Sequence, residues 1–310
     1  MTARLTANPA ASLPLSVFTH PSCLRHDPGP GHVEAPARLR AVLGRLAAMP
    51  EVALRESEAL SREALLEVHT AAYLDHLAAV DARGGGVLDE DTAMNEASWE
   101  AARTGAGAAI AAVRHAARGG GNAFAAVRPP GHHALAGRAM GFCLLANAVL
   151  AAREAQREGR ARVLIVDWDV HHGNGTQALV ERDPSVRFVS LHQWPFWPGT
   201  GAASERGVGN IFNVPRPPGL PPERYVADLW AGVAAATRDW TPDMVVISAG
   251  FDAMAGDALG GFTLEPEHYA DLTVRLRELA PAAPLVGLLE GGYIPSRLAD
   301  GVAAHLLAMA

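Results

Sequence analysis

Residues 167–172 read Asp-Trp-Asp-Val-His-His, two carboxylates and two imidazoles in six positions, directly after the apolar run Val163-Leu164-Ile165-Val166. In extended backbone Asp169 and His171, two apart, leave on the same face. A carboxylate and an imidazole so placed are half of a site for zinc or a similar divalent ion. Alone, an Asp-X-His more often caps a helix or satisfies loop amides. The candidate third ligand, Asp252, follows a second apolar run in Ala-Gly-Phe-Asp-Ala, and that recurrence reverses the odds. Three protein ligands leave one position open to water, which is the catalytic rather than the structural arrangement. The pair His132-His133 follows a rigid turn, Pro129-Pro130-Gly131. One histidine there can take a proton from water and return it to a leaving amine, with Asp167 as the candidate to fix a tautomer. Tyr293 follows Gly291-Gly292, where bare backbone permits close approach to a ligand; its phenol can donate to a developing oxyanion. Metal, base and oxyanion donor together describe metal-assisted hydrolysis of an amide or ester.

These groups need a scaffold that brings them to one place. Five short apolar runs lack polar alternation: 123–127, 163–166, 186–191, 244–248 and 285–289. Such runs predict strands of a parallel sheet covered on both faces. Between them, 144–157, 223–240 and 265–279 carry helical spacing, with Pro221-Pro222 and Pro266 near the first turns of two of these. The alternation predicts one α/β domain with a central, mostly parallel sheet flanked by helices. Ligands bind beyond the carboxyl ends of such strands, and nearly every chemically loaded residue lies there. The glycine triplets at 84–86 and 119–121 read as turns.

Bulk properties narrow the partners. The chain has 310 residues, 49% of them apolar, enough for a sizeable core. A formal charge of −7 argues against nucleic acid as the main partner. Two cysteines, Cys23 and Cys143, make a disulfide framework improbable and fit a reducing cytoplasm. No apolar span reaches the ~20 residues of a membrane helix, and the first residues lack the apolar core of a secretory signal.

The segments RPPGHHA, GFC (141–143), DWDVHHGNGTQ, PGTG (198–201), AGFDA and LEGGY (289–293) occur in this order at suitable spacings. From about His20 onward the sequence resembles the zinc-dependent histone deacetylase superfamily, including bacterial histone-deacetylase-like amidohydrolases. The resemblance implies the arginase-like fold, with residues 1–19 as an extension carrying a first strand and 20–310 as one catalytic domain. It implies hydrolysis of an acylated amine, such as acyl-lysine in a peptide or protein, to a free amine and a carboxylate. It assigns one zinc to Asp169, His171 and Asp252, the general base to His133, and its electrostatic partner to His132 backed by Asp167. Tyr293 would polarise the acyl oxygen, and Gly141, Phe142 and Trp197 would line an acyl-lysine tunnel. A structural potassium ion is implied at Asp167, Asp169, His171, Ser190 and Leu191, with His172 left to support its loop.

Departures refine the subclass. Asn174 stands where one branch has an aspartate behind the second histidine, so the stretch resembles the class II branch. Leu259 stands where the acetylpolyamine-specialised branch carries a glutamate gatekeeper, and the short 81–97 segment lacks the insertion of bacterial acetylpolyamine enzymes. Asp91 is a candidate substrate contact at the mouth, although Asp89-Glu90-Asp91 also reads as a solvated acidic loop. His26, His32 and Arg38 match a family segment near the entrance and inner channel, the histidines read as loop contacts. His69, His76 and His115 read as helical residues without a functional role. The leading expectation is therefore a zinc deacylase acting on lysine. Small N-acyl amines are the alternative substrate, and an inactive acyl-lysine binding module the alternative class. A binuclear manganese ureohydrolase would need bridging carboxylates that these strand ends lack.

Overall fold

The computed structural model describes residues 14–310. Among them the strands, in chain order, are β1 Leu15–Thr19, β2 Val52–Glu56, β3 Gly85–Asp89, β4 Thr92–Asn95, β5 Ala123–Ala125, β6 Val163–Asp167, β7 Val186–Gln193, β8 Ile211–Arg216, β9 Met244–Ala249 and β10 Leu285–Leu289. Eight of them form one sheet in the order β2-β1-β5-β10-β9-β6-β7-β8. Every pairing in that sheet is parallel; β3 and β4 form a separate antiparallel hairpin.

β6, β9 and β10 are buried along their whole length, as coverage on both faces demands. The covering helices form two packed groups. Pro36–Leu46, Pro266–Leu279 and Pro295–Met309 pack in series, and Ser98–Ala117 packs on Asn147–Arg157. Four helices carry proline at the first turn, Pro36, Pro222, Pro266 and Pro295, where the missing N–H costs nothing. The result is a single α/β domain with a central parallel sheet flanked by helices, as the apolar runs predict.

The differences are local. The run 123–127 is strand only as far as Ala125, and the expected helices shift by up to three residues, to Asn147–Arg157, Pro222–Thr237 and Pro266–Leu279. Gly84 turns the chain, but Gly85 and Gly86 belong to β3. A Cβ on Gly85 would sit 2.3 Å from the Met94 carbonyl, so the glycine there serves strand contact. His69 is not helical. It lies in a bend, where Nδ1 donates to Leu135 O and Nε2 accepts from Ala146 N–H. Of the expected extension 1–19, residues 1–13 lie outside the described residues, and Leu15–Thr19 form β1 between β2 and β5.

Strand order decides what the site can be. β5, β10, β9, β6 and β7 are consecutive neighbours, and adjacent strands lie only about 4.8 Å apart. Their carboxyl ends deliver His132 and His133, Tyr293, Asp252, and Asp169 with His171 to one short stretch of rim. No described helix is long and apolar enough to cross a membrane, and Cys23 and Cys143 are both free and buried.

Candidate active site

The loops after β6, β9 and β10 converge on a carboxylate–imidazole set. Asp169, His171 and Asp252 hold their ligand atoms within 4.8 Å of one another. His171 Nδ1 lies 3.0 Å from Asp169 Oδ1 and 3.3 Å from Asp252 Oδ2. Tetrahedral bonds of about 2.0–2.2 Å imply ligand–ligand edges of about 3.3–3.6 Å, so these separations suit a zinc-sized ion. Asp252 Oδ2 is buried without a hydrogen-bond partner, an orphaned charge site that a cation would satisfy. Burial and the Asp169 charge push the Asp252 carboxyl up to about 7. Against the opposing pull of burial, the Asp169 carboxylate that accepts from His171 Nδ1 and the neighbouring Asp252 carboxylate hold the His171 imidazole up to about 9. Both shifts follow from two buried carboxylates crowded around one imidazole. Asp252 Oδ1 is engaged, accepting from Val170 N–H at 2.8 Å.

Glycines make the crowding possible. A Cβ on Gly291 would lie 2.1 Å from Asp252 Oδ2 and 2.6 Å from Asp169 Oδ2, and one on Gly250 2.2 Å from Asp169 Oδ2. The Gly291 N–H donates to Asp169 Oδ2 at 2.9 Å. A second cluster, His132, Cys143 and Glu290, is less suited to a metal. Burial pushes the Cys143 thiol well up, keeping its proton, and His132 Nδ1 is engaged elsewhere.

The histidine pair occupies two different environments. His132 Nδ1 donates to Asp167 Oδ2 at 3.0 Å. Burial would strip its charge, yet the Asp169 and Asp167 carboxylates override burial and hold it well above the usual histidine range. His133 stays well below that range, through burial and then the positive charge of His132. Its Nδ1 lies 2.7 Å from Asn174 Oδ1. The Asn174 amide is oriented by its Nδ2, which donates to Met140 Sδ at 3.4 Å. An oxygen facing Nδ1 makes that nitrogen the donor and leaves the Nε2 lone pair as the basic position.

Above this set lies a slot of about 220 Å³ lined by Asp91, His133, Gly141, Phe142, His171, Phe196, Trp197, Ala258, Leu259 and Tyr293. Trp197 stands edge-on to His133 with centroids 4.7 Å apart, Phe196 stacks on His171 at 5.5 Å, and Phe142 meets Tyr293 edge-on at 5.9 Å. Gly141 and Phe142 both adopt positive φ, 56° and 66°, a strained state for phenylalanine. The β3–β4 hairpin holds that turn: Gly141 N–H donates to Asp91 Oδ1 and Phe142 N–H to Thr92 Oγ1. Burial pushes the Tyr293 phenol well up even with the Arg38 guanidinium 4.9 Å from its ring centre. It remains a proton donor.

Most residues singled out from sequence meet here. His133, His171, Gly141, Phe142, Trp197, Asp91, Leu259 and Tyr293 line the slot, with Asp169, Asp252, His132 and Asp167 beneath it. Gly291 and Gly292 do not line it; Gly291 serves the carboxylate pair instead. Ser190 pairs in register with Asp167 and Leu191 follows it on β7. His172 ties its loop to Thr200 and Gln177, and His32 bonds Asp91 O and packs edge-on to Phe142. Arg38 donates to the Gly292 and Glu290 carbonyls and pairs with Glu34, which also holds Arg128; His26 Nε2 lies 3.3 Å from Glu34. Sequence reasoning missed Glu290, whose Oε2 accepts from Gly131 and His132 N–H at 2.6 and 3.2 Å. A larger groove of about 660 Å³ at the amino ends of β5 and β10 holds no histidine or aspartate.

The match between these elements and known proteins is extensive. The family model for the histone deacetylase domain matches residues 32–309. The chain belongs to the histone deacetylase family. It is 38% identical to the histone deacetylase-like amidohydrolase of Pseudomonas aeruginosa, over 92% of this chain and 77% of that protein. An uncharacterized protein of Synechocystis is 42% identical over 91% of this chain and 95% of its own length. The crystal structure of the HDA15 HD domain superposes with a TM-score of 0.91 at 37% identity, covering 95% and 90% of the two chains. Its fold is thus the arginase-like fold of that family, and membership supports a hydrolase of the deacetylase type.

Proposed function

We propose that this family member removes acetyl or related acyl groups from the ε-amine of lysine, using one zinc ion. The observation that carries the reading is the narrow aromatic slot ending on Asp169, His171 and Asp252, with His133 and Tyr293 in its walls. A zinc ion held by those three residues would supply Lewis acidity toward the acyl oxygen and a water.

The protein's own groups do the rest. Phe142, Phe196 and Trp197 enclose the methylene stem of the lysine and exclude bulk water. His133 Nε2 takes a proton from the attacking water and delivers it to the leaving amine. His132, kept charged by Asp167 and Asp169, stabilises negative charge as it develops. The Tyr293 hydroxyl donates to the acyl oxygen. Asp91 spends one oxygen on Gly141 and Thr92; its other oxygen is the candidate acceptor for a substrate backbone N–H. Leu259 offers no anion to a second ammonium, which favours acyl-lysine over acetylpolyamines. Ser190, Leu191 and the Asp167–His171 loop are the candidate potassium site. The catalytic unit comprises β1 with residues 20–310, acting in the cytoplasm.

Metal-defined protein assayed in parallel on an acetyl-lysine peptide, longer acyl-lysine peptides and acetylputrescine tests this. Turnover of the peptides above acetylputrescine is expected. Preference for acetylputrescine would move the substrate to small N-acyl amines. No turnover by zinc-loaded protein would leave an acyl-lysine binding module.

A further inference from the structure

We propose that Asp257 is a positioning residue for Tyr293, tying the backbone of the catalytic phenol to the backbone of Leu259 in the slot lining; the inference rests on Tyr293 being the oxyanion donor. Asp257 lies in the loop after β9, five residues beyond Asp252, and is 7% exposed. Its Oδ2 accepts from the Tyr293 N–H at 2.7 Å, and its Oδ1 accepts from the Leu259 N–H at 3.0 Å. Tyr293 and Leu259 both face the slot. One buried carboxylate therefore ties the backbone of the reacting side chain to the backbone of the mouth wall.

The surroundings explain why the tether matters. Gly292, immediately before Tyr293, sits at φ 122°, a conformation glycine adopts readily. Its carbonyl accepts from Arg38 Nε at 2.6 Å, so the backbone is held on one side of the tyrosine and the Tyr293 N–H is the next group to fix. Packing of the ring on Phe142 and Arg38 sets its plane, but such contacts resist sliding weakly. The hydrogen bond at the Tyr293 N–H fixes how far the phenol reaches along the slot. Asp257 also donates its own N–H to Met254 O at 3.3 Å, so the clamp is anchored to its loop. Only a carboxylate offers two acceptors in this geometry. An asparagine would turn an NH2 group against one of the two N–H donors, breaking either the Tyr293 or the Leu259 bond.

The experiment is a double-mutant cycle with wild type, Asp257→Asn, Tyr293→Phe and the double variant, following kcat, KM, melting temperature and bound metal. Asp257→Asn is expected to lower kcat about 10- to 100-fold, as sub-ångström misplacement does, with KM within about twofold. In the Tyr293→Phe background the same change should cost nothing further, because the group it positions is gone. An equal loss in both backgrounds, or no loss in the single variant, overturns the proposal. If Asp257→Asn fails to fold, Asp257→Ser takes its place in the cycle with the same criteria. Fluorine NMR on fluorotyrosine-labelled protein adds a readout independent of turnover. The four tyrosines give four resonances, and Tyr293→Phe assigns the relevant one. In Asp257→Asn that resonance should shift or split while those of Tyr73, Tyr225 and Tyr269 stay. An unchanged Tyr293 resonance, or a shift of all four, refutes positioning. Inactive wild-type protein would sink the deacylase reading while leaving this spectrum to decide the clamp.

Discussion

Burial keeps the Tyr293 phenol protonated, so position 293 contributes a hydrogen-bond donor and no charge. Replacing it with phenylalanine keeps the ring packing on Phe142 and removes only the donor. Turnover is expected to fall on the order of 100- to 1,000-fold in a steady-state assay, with zinc content by atomic absorption unchanged. Loss of zinc would mean that the tyrosine supports the ligand set instead. Asn174 acts one step removed, holding the proton on His133 Nδ1. Asn174→Leu leaves that proton without an acceptor and frees the ring to change tautomer, so kcat should drop at least ~10-fold with little change in KM. At this scale the sequence was most informative where partners are close in the chain: Asp169 and His171 share a face by spacing, and Asp252 after a second apolar run turned that pair into a candidate ligand set. Glu290 gave no such signal, because its partner Gly131 lies 159 positions away and an isolated glutamate carries no periodicity.

Among elements, the loop leaving β10 is the most constrained. Glu290 accepts from the turn that carries the histidine pair, Gly291 presses bare backbone against two carboxylates, and Tyr293 follows within three residues. Gly291→Ala places a methyl 2.1 Å from Asp252 Oδ2, a distance no real Cβ tolerates. Zinc bound per chain should fall well below one equivalent in metal analysis, while far-ultraviolet circular dichroism stays native. Retention of full zinc would show that the loop can relax. Glycines at 291 and 292 are visible in the sequence as a close-approach signal, but what approaches is decided by strand order. Strands β5, β6, β7, β9 and β10 were legible because a doubly covered strand is a continuous apolar run, whereas β2 and β8, partly exposed along their length, were not. The hairpin β3–β4 was not, since Gly-Gly-Val-Leu-Asp carries neither such a run nor clean alternation.

For the molecule as a whole, buried histidines make stability depend on pH. Burial lowers His69 to about 4 and His305 to about 3, against 6.5 when exposed. Between those values the unfolded chain binds protons that the folded one refuses, so the contribution of these two histidines to stability is full above pH 6.5 and declines as pH falls toward 4 and then 3. Denaturant unfolding at stepped pH should show this decline. His305→Gln should reduce its slope by up to one proton, and an unchanged slope would place the proton uptake elsewhere. Sequence by itself determined the parallel α/β class and the family resemblance, and it named the candidate ligand and proton-carrying residues, because apolar runs and dense motifs are properties of neighbouring positions. It could not determine that Gly291 serves the carboxylates, that Glu290 braces the histidine turn, or that Asp257 joins Tyr293 to Leu259. Those relations join residues from different strand ends, and they exist only because β5, β10, β9 and β6 lie side by side in an order the chain does not follow.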